Sequence, residues 1–246
     1  MALEQTARQI AEDITARAPF CLIAGLSLAD AYDLQDIVAE HLGPVGGYKI
    51  AWNGPGLPER FGMTDPAVAR VFAGELRETG AVLDAADFRQ PTLEPEIAAV
   101  LGADIPANDV PYTGDSVAPF ISGYRVAFEV LDRRDVSAPH GESIIAGGVF
   151  NRGAVLGEAL LTTLPKSVAT LDLDGERLLD RATGTAPQPP TEAVAYVANL
   201  MLARGAPLSA GMVILCGSHR GLLTISQGSD AAFEIEGLGR VTCSLR

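Results

Sequence analysis

Two glutamates lie two residues apart in the stretch TLEPEIAAVL, at Glu94 and Glu96. In a β-strand this spacing puts both side chains on one face, and an apolar run follows directly. Neighbouring carboxylates repel each other unless they are exposed, partly protonated or bridged by a cation. A divalent ion with oxygen ligands would remove the repulsion, whereas a solvated sheet edge is the simpler alternative. Pro95 favours such an edge or rim because it lacks a ladder donor.

A second acidic segment, YRVAFEVLDRR, carries Glu129 inside an apolar strand and Asp132 at the end of that strand. An unpartnered carboxylate is costly in an apolar strand. Asp132 is also typical of a turn, and the two arginines that follow it are equally compatible with ordinary surface ion pairs.

Lys49 is one of only two lysines in the 246-residue chain and lies in the stretch GGYKIAWNG. Its neighbours Tyr48 and Ile50 give this short strand a pattern that predicts burial of the lysine rather than a solvated charge. The Gly- and Pro-rich segment 53–66 follows and is typical of a loop that covers an active site.

Helical periodicity appears twice near the start of the chain, at about 3–17 and 27–41. Ser27 and Asp30 form a capping-box-like pair at the second helix. From about residue 81 the pattern consists of short β-type runs, interrupted by one clear helix at 191–204. Because strands and helices do not alternate, we predict an α+β fold with a mixed, mostly β sheet, N-terminal helices and one late helix.

We predict one catalytic domain over 1–246. It would consist of a smaller helical and α/β subregion at 1–80 and a β-rich, metal-binding core at 81–246. The net charge of −13 argues against nucleic-acid binding, which needs a basic face.

Three features bear on where the protein acts. No apolar run approaches the roughly 18 residues of a bilayer-spanning helix. The amphipathic N-terminus carries early acidic residues, unlike a secretory signal. The cysteines are three in number and widely spaced, which favours core residues in a reducing compartment. We therefore expect a cytoplasmic protein without membrane partners.

The motifs together resemble the fumarylacetoacetate hydrolase superfamily, and within it the branch of 2-keto-4-pentenoate hydratases and 4-oxalocrotonate decarboxylases. No single motif is decisive, but their order and spacing are specific and extend over nearly the whole chain. The matching stretches are SLADAYDLQ, GGYKI, LEPEIAAVLGADI, FEVLDRR, NRGAVLGE, LARGAPLSAGMVILCGS and FEIEGLGRVTCSL.

The resemblance implies a rolled mixed sheet, like the fumarylacetoacetate hydrolase C-terminal domain, in a homo-oligomer. It implies Mg²⁺ or Mn²⁺ bound by three carboxylates, which match Glu94, Glu96 and Asp132. The family lysine beside the metal matches Lys49, here the expected catalytic residue. Gly217 and Ser218 match a turn that approaches the substrate, although a plain turn explains them equally well.

The expected function is that of a metal-dependent lyase for a small 2-keto (2-hydroxydienoic) acid, of the hydratase type, in the catabolism of aromatic compounds. A divalent ion that holds the carboxylate and 2-oxygen of such an acid would act as a Lewis acid. Lys49 would orient the substrate carboxylate or shuttle protons. The alternatives are a 2-oxo acid decarboxylase, a C–C hydrolase of the same superfamily, or a non-catalytic ligand-binding or scaffold protein.

The chain departs from the family pattern at two places near the expected pocket. The family's GYKIGLTS becomes GYKIAWNG, so Trp52 replaces a small residue and two hydroxyl groups are lost. A common IADN becomes IAGG, with glycines at 147 and 148. His140 and Glu142 match no position of the hydrolases' His–Glu pair. These departures concern the substrate more than the fold.

Overall fold

A computed structural model describes residues 2–182 and 188–246. None of the helices in this part of the chain is long and apolar enough to cross a membrane. The helices are α1 Ala2–Thr15, α2 Leu28–Leu42, α3 Leu57–Arg60, α4 Gly114–Val117, α5 Gly141–Ala146 and α6 Pro190–Ala203. The strands are β1 Val45–Ala51, β2 Ala67–Phe72, β3 Leu76–Glu78, β4 Ala81–Leu83, β5 Pro91–Leu101, β6 Ile121–Asp132, β7 Asn151–Leu156, β8 Val168–Leu173, β9 Glu176–Ala182, β10 Val213–Ser218, β11 Leu223–Thr224, β12 Asp230–Ile235 and β13 Gly239–Leu245.

The three predicted helices are confirmed as α1, α2 and α6. At the start of α2 the Ser27 hydroxyl accepts the Asp30 N–H at 3.1 Å, and the Asp30 carboxylate accepts the Ser27 N–H at 3.2 Å. This reciprocal pair is the predicted capping box. The prediction missed α5, which has only six residues, begins at a glycine and is capped by the His140 side chain.

The predicted α+β fold with mostly β structure is confirmed, and the strands form two sheets. The larger sheet has the order β2-β1-β10-β5-β6-β7-β3, with β11 beside β5, and the smaller has the order β4-β13-β12-β8-β9. The main hydrophobic core lies where the two sheets face each other, and Phe128 and Phe233 meet there with ring centroids 6.2 Å apart. The region 1–80 supplies β1, β2 and β3 to the larger sheet and is therefore continuous with the β-rich core.

The larger sheet is rolled, since β2 and β7 contact each other although they lie near opposite ends of its hydrogen-bonded order. Strand alternation gives it two different faces. One face packs in the main core, and the concave face carries small apolar residues in a cluster of its own. That cluster includes Ala98, Ala127, Ala154 and Leu215. Small side chains let the rolled strands approach and leave space for a polar group at one end of the same face.

The prediction that Pro95 lies at an edge or rim of the sheet is wrong, because β5 lies in the middle of the sheet between β10 and β6. The Pro95 carbonyl oxygen accepts the His219 N–H at 2.8 Å, so this residue's hydrogen-bonding side faces β10. The ladder between β5 and β10 shifts register between Leu215 and Ser218. Pro95 has no backbone N–H to donate to β10. Because the β5–β10 ladder is already interrupted at this point, the missing hydrogen bond is tolerated.

Gly47 offers a test of how closely β1 must approach β10. A Cβ atom at Gly47 would lie 1.9 Å from the Val213 carbonyl oxygen, which is backbone and cannot rotate away. We expect Gly47→Ala to lower the free energy of unfolding by about 3 kcal/mol, measured by urea denaturation with Trp52 fluorescence.

Gly74→Ala is the matched control, because Gly74 has open space around its Cβ position and no positive φ. We expect it to change stability by less than about 0.5 kcal/mol. Equal stability of the two variants would contradict the close approach of β1 and β10.

Candidate functional site

Three glutamates meet at one end of the concave face. Glu94 and Glu96 of β5 and Glu129 of β6 each place a carboxylate oxygen within 4.8 Å of the others. Glu94 and Glu129 are directly opposite in the β5–β6 ladder. Glu96 and Glu129 are fully buried, and Glu94 is half-buried. Three carboxylates in so small a volume need a cation or protons to coexist.

Lys49 supplies one cation, and its predicted burial is confirmed, since the residue is only 1% exposed. Its Nζ lies 3.1 Å from Oε1 of Glu129. In the sheet, β10 and β5 separate β1 from β6, so the roll of the sheet brings this lysine to the glutamate. Lys49 pairs in register with Leu215 of β10, whose side chain belongs to the concave cluster.

Neighbouring groups fix the orientation of two carboxylates. The Asn151 amide donates to Oε1 of Glu129 at 2.8 Å and is itself held by the Gly153 N–H at 2.9 Å. The Gly217 N–H donates to Oε2 of Glu96 at 2.8 Å. Oε2 of Glu129 is buried and has no hydrogen-bond partner within the described ranges. A buried carboxylate oxygen without a partner is costly, so this atom is suited to an ion.

The charges of the cluster point to a divalent cation. Burial first, and then the charge of Glu129, raise the pKa of Glu94 to about 7, although Lys49 acts in the opposite direction. Burial and the neighbouring glutamates raise the pKa of Glu96 well above its ordinary value. When all are ionised, three carboxylates and one ammonium carry a net charge of −2. A hard divalent ion balances that charge and prefers oxygen ligands, so the residues fit such an ion.

The structure does not bring Asp132 to this cluster, which corrects the ligand set expected from the resemblance. The Asp132 carboxylate instead accepts three backbone N–H groups, from Gln90 at 2.7 Å, Arg89 at 3.0 Å and Arg134 at 3.2 Å. Strand alternation explains the outcome, because residues 129 and 132 of β6 lie on opposite faces. The sequence signal for Glu129 was a carboxylate within an apolar strand. Asp132 agrees with the alternative that the sequence also offered, an aspartate typical of a turn.

The end of β10, where the sequence predicted a turn, lies next to Glu96. Gly217 has a φ of 108°, and a Cβ there would lie 2.6 Å from the side-chain nitrogen of Asn53. The Ser218 hydroxyl donates to the backbone carbonyl of Arg220. The position of Gly217 is compatible with the expected substrate contact, which stays a prediction for both residues. His219 points elsewhere, since its ring lies 5.5 Å from Phe233 in the main core, and burial lowers its pKa to about 4.

The departure AWNG also lies beside this turn. Trp52 has a φ of 60° and stacks on Phe61 with ring centroids 4.3 Å apart. The Asn53 side-chain amide donates to the Cys216 carbonyl oxygen at 3.3 Å. Asn53 of this departure therefore packs against the strand whose Gly217 holds Glu96.

Comparison with known proteins identifies the family. Residues 58–246 match the family described as fumarylacetoacetate (FAA) hydrolase C-terminal. A 2-keto-4-pentenoate hydratase from Burkholderia vietnamiensis is 31% identical over 210 residues, which cover 80% of this chain and 76% of that protein. A 4-oxalocrotonate decarboxylase from a Pseudomonas species is 24% identical, over 89% of this chain and 87% of that protein.

Among solved structures, 4-oxalocrotonate decarboxylase from Pseudomonas putida G7, complexed with magnesium and adipate, superimposes with a TM-score of 0.91. The superposition covers 100% of this chain and 97% of the other, at 19% sequence identity. At that identity the likeness shows a shared fold. The matched family and the hydratase relative show more: the chain is an enzyme and belongs to the fumarylacetoacetate hydrolase C-terminal family.

Proposed function

We propose that this enzyme is a divalent-metal-dependent lyase that hydrates a small 2-keto (2-hydroxydienoic) acid, of the 2-keto-4-pentenoate hydratase type. The observation that carries the proposal is the buried group of Glu94, Glu96 and Glu129 with Lys49 beside it. The hydratase from Burkholderia vietnamiensis supports the choice of reaction.

Glu94, Glu96 and Glu129 would hold Mg²⁺ or Mn²⁺ in this proposal. The unpartnered Oε2 of Glu129 and the excess negative charge both favour such an ion. The magnesium bound by the decarboxylase of the same fold supports a divalent metal. When bound, the ion supplies Lewis acidity to the carboxylate and the adjacent 2-oxygen of a keto acid.

The protein's own groups orient the substrate and move protons. Lys49 presents a fixed ammonium to an anionic substrate, because Glu129 holds its Nζ at 3.1 Å on the concave face. In this proposal Nζ would also give or accept a proton at the substrate carbon chain. Burial excludes bulk water from around Lys49 and Glu129, so the electrostatic interactions there are stronger than at the surface. The Gly217 N–H keeps Glu96 oriented, and in this proposal its backbone would approach the substrate.

Decarboxylation of a 2-oxo acid is the second candidate. The superposition on the decarboxylase over essentially both chains favours it, and the two reactions require the same stabilised charge next to a keto acid. A C–C hydrolase receives less support, because His140 caps α5 through Ser143 and lies 3.5 Å from a Glu142 that is partly exposed. The proposal also places the enzyme in the cytoplasm, as a homo-oligomer in aromatic-compound catabolism.

Paired amide substitutions test the ligand set. We expect Glu129→Gln to weaken Mn²⁺ binding by about 100-fold or more, since it removes a charged ligand from the cluster. Asp132→Asn should keep the wild-type Mn²⁺ affinity but lower the free energy of unfolding by about 2 kcal/mol, because three N–H groups lose a charged acceptor. Isothermal titration and urea denaturation measure the two effects. Loss of binding in Asp132→Asn alone would restore Asp132 as the third ligand.

Metal affinity should also depend on pH. A carboxyl must lose its proton to bind the ion, and the pKa of Glu94 in the metal-free protein is about 7. The proton therefore competes more strongly at pH 6 than at pH 8, and because the pKa of Glu96 is also raised, we expect Mn²⁺ affinity to be at least about tenfold weaker at pH 6. The same raised pKa means that the metal-free protein loses stability as pH rises from about 4.5 to 7. Titrations that gave one affinity at both pH values would contradict the protonated carboxyl.

The reaction itself is tested with 2-hydroxypenta-2,4-dienoate and Mg²⁺. We expect a product heavier by one water in mass spectrometry, loss of turnover with a chelator, and recovery when Mg²⁺ is restored. Lys49→Met should lower kcat by about 100-fold or more, while Mn²⁺ still binds. Release of CO₂ from 4-oxalocrotonate, without hydration of the dienoate, would instead establish the decarboxylase.

A further inference from the structure

A cavity of about 100 Å³ lies between α1, the segment 20–23 and α5. Neither Lys49 nor the three glutamates of the cluster line it, so it is a feature outside the proposed catalytic site. Residues of different chemical types surround it, including an arginine, a carboxylate, an aromatic ring and a glycine. The residues that matter here are Gln9, Asp13, Phe20, Arg134 and Gly147.

Arg134 is the unusual member of this lining. The residue is only 5% exposed, and its guanidinium lies 5.2 Å from the centre of the Phe20 ring. A guanidinium carries five N–H donors, yet within the described ranges its one hydrogen bond goes to the Ala18 carbonyl oxygen at 3.4 Å. Buried arginines are normally paired with an anion. The remaining donors of Arg134 are therefore available to a group in the cavity.

The backbone holds Arg134 in this position. Its φ of 46° is uncommon for a residue with a side chain, and the Phe20 N–H donates to its carbonyl oxygen at 2.6 Å. The Arg134 N–H donates to the Asp132 carboxylate at 3.2 Å, and within the described ranges no hydrogen bond joins that carboxylate to the guanidinium. The arginine is thus fixed at both of its backbone groups before any ligand arrives.

Asp13 faces the same cavity but does not neutralise Arg134. It accepts a hydrogen bond from the Gln9 amide at 2.9 Å, and in the described part of the chain it forms no ion pair with Arg134. Burial and, to a smaller extent, the charge of Arg152 lower the pKa of Arg134, whereas Asp132 and Asp13 raise it. A negative charge on the lining also disfavours ligands that carry two negative charges.

Gly147 lies on the wall of the cavity, next to Phe20. Its φ of −85° and ψ of 15° are accessible to any residue, so the backbone conformation does not require glycine. A Cβ at this position would lie 3.2 Å from the edge of the Phe20 ring. A larger side chain at 147 would therefore press on the ring that lies against the Arg134 guanidinium.

We propose that this cavity binds a small monocarboxylate anion, with the carboxylate on the Arg134 guanidinium beside the Phe20 ring. The planar guanidinium matches a carboxylate through two parallel hydrogen bonds. The cavity volume of about 100 Å³ suits a small acid, such as one of two or three carbons. Asp13 disfavours dianions, such as dicarboxylates and doubly ionised phosphate, more than it disfavours monoanions.

Thermal melting of the full-length enzyme with Mg²⁺ tests the site, with acetate as the probe and chloride at matched ionic strength as the reference. We expect acetate to raise Tm in a saturable way, and phosphate to give no saturable rise. The rise should persist in Glu129→Gln, which excludes binding at the metal cluster. It should be lost in Arg134→Met.

A second pair of variants keeps the test decisive if Arg134→Met does not fold. Gly147→Asp and Gly147→Asn add side chains of equal size to the cavity wall beside Phe20, and both should abolish the response to acetate. Gly147→Asp should melt at a higher temperature than Gly147→Asn, because its carboxylate adds a negative charge to the wall of the cavity that Arg134 also lines. Equal Tm values for the two, an acetate response that survives in both, or its loss in Glu129→Gln would each overturn the proposal.

Discussion

The concentration of negative charge on the concave face is the constraint on which the rest of the structure depends. Glu94, Glu96 and Glu129 share a small volume with a single buried ammonium, that of Lys49. Removing charges from water costs several kcal/mol per ion unless partners compensate, so this arrangement is not one that stability alone would favour. The cost of burying these charges together is the physical reason for proposing that the cluster binds an ion and an anionic substrate.

Several features of the fold serve this cluster. Alanines on neighbouring positions of the rolled sheet let the strands approach closely, which brings β1 to β6 and Lys49 to Glu129. Asn151 and Gly217 fix two of the carboxylates, and the interrupted ladder beside Pro95 turns the chain so that the Gly217 N–H faces Glu96. Hydrogen-bonded neighbours of this kind orient the ligands of a metal and tune its affinity.

The two departures from the family pattern acquire different meanings in three dimensions. The AWNG segment packs against the turn that holds Glu96, so it bears on the substrate of the proposed reaction. Gly147 of the IAGG segment lies instead on the wall of the Arg134 cavity. One change thus lies beside the glutamate cluster, and the other lies on the wall of a cavity that Arg134 also lines.

The sequence by itself determined the α+β class, the capped helix at Ser27, the burial of Lys49 and the shared face of Glu94 and Glu96, because these follow from local periodicity. The family was recognisable from ordered motifs. Only the tertiary structure decided that Glu129, and not Asp132, completes the cluster. That choice depends on the register between β5 and β6, in which Glu94 lies opposite Glu129, and a shift of one residue would reverse the faces. Likewise, the local sequence pattern predicted a sheet edge at Pro95. The position of β5 within the sheet depends instead on its pairing with β10, which lies more than 100 residues away in the chain.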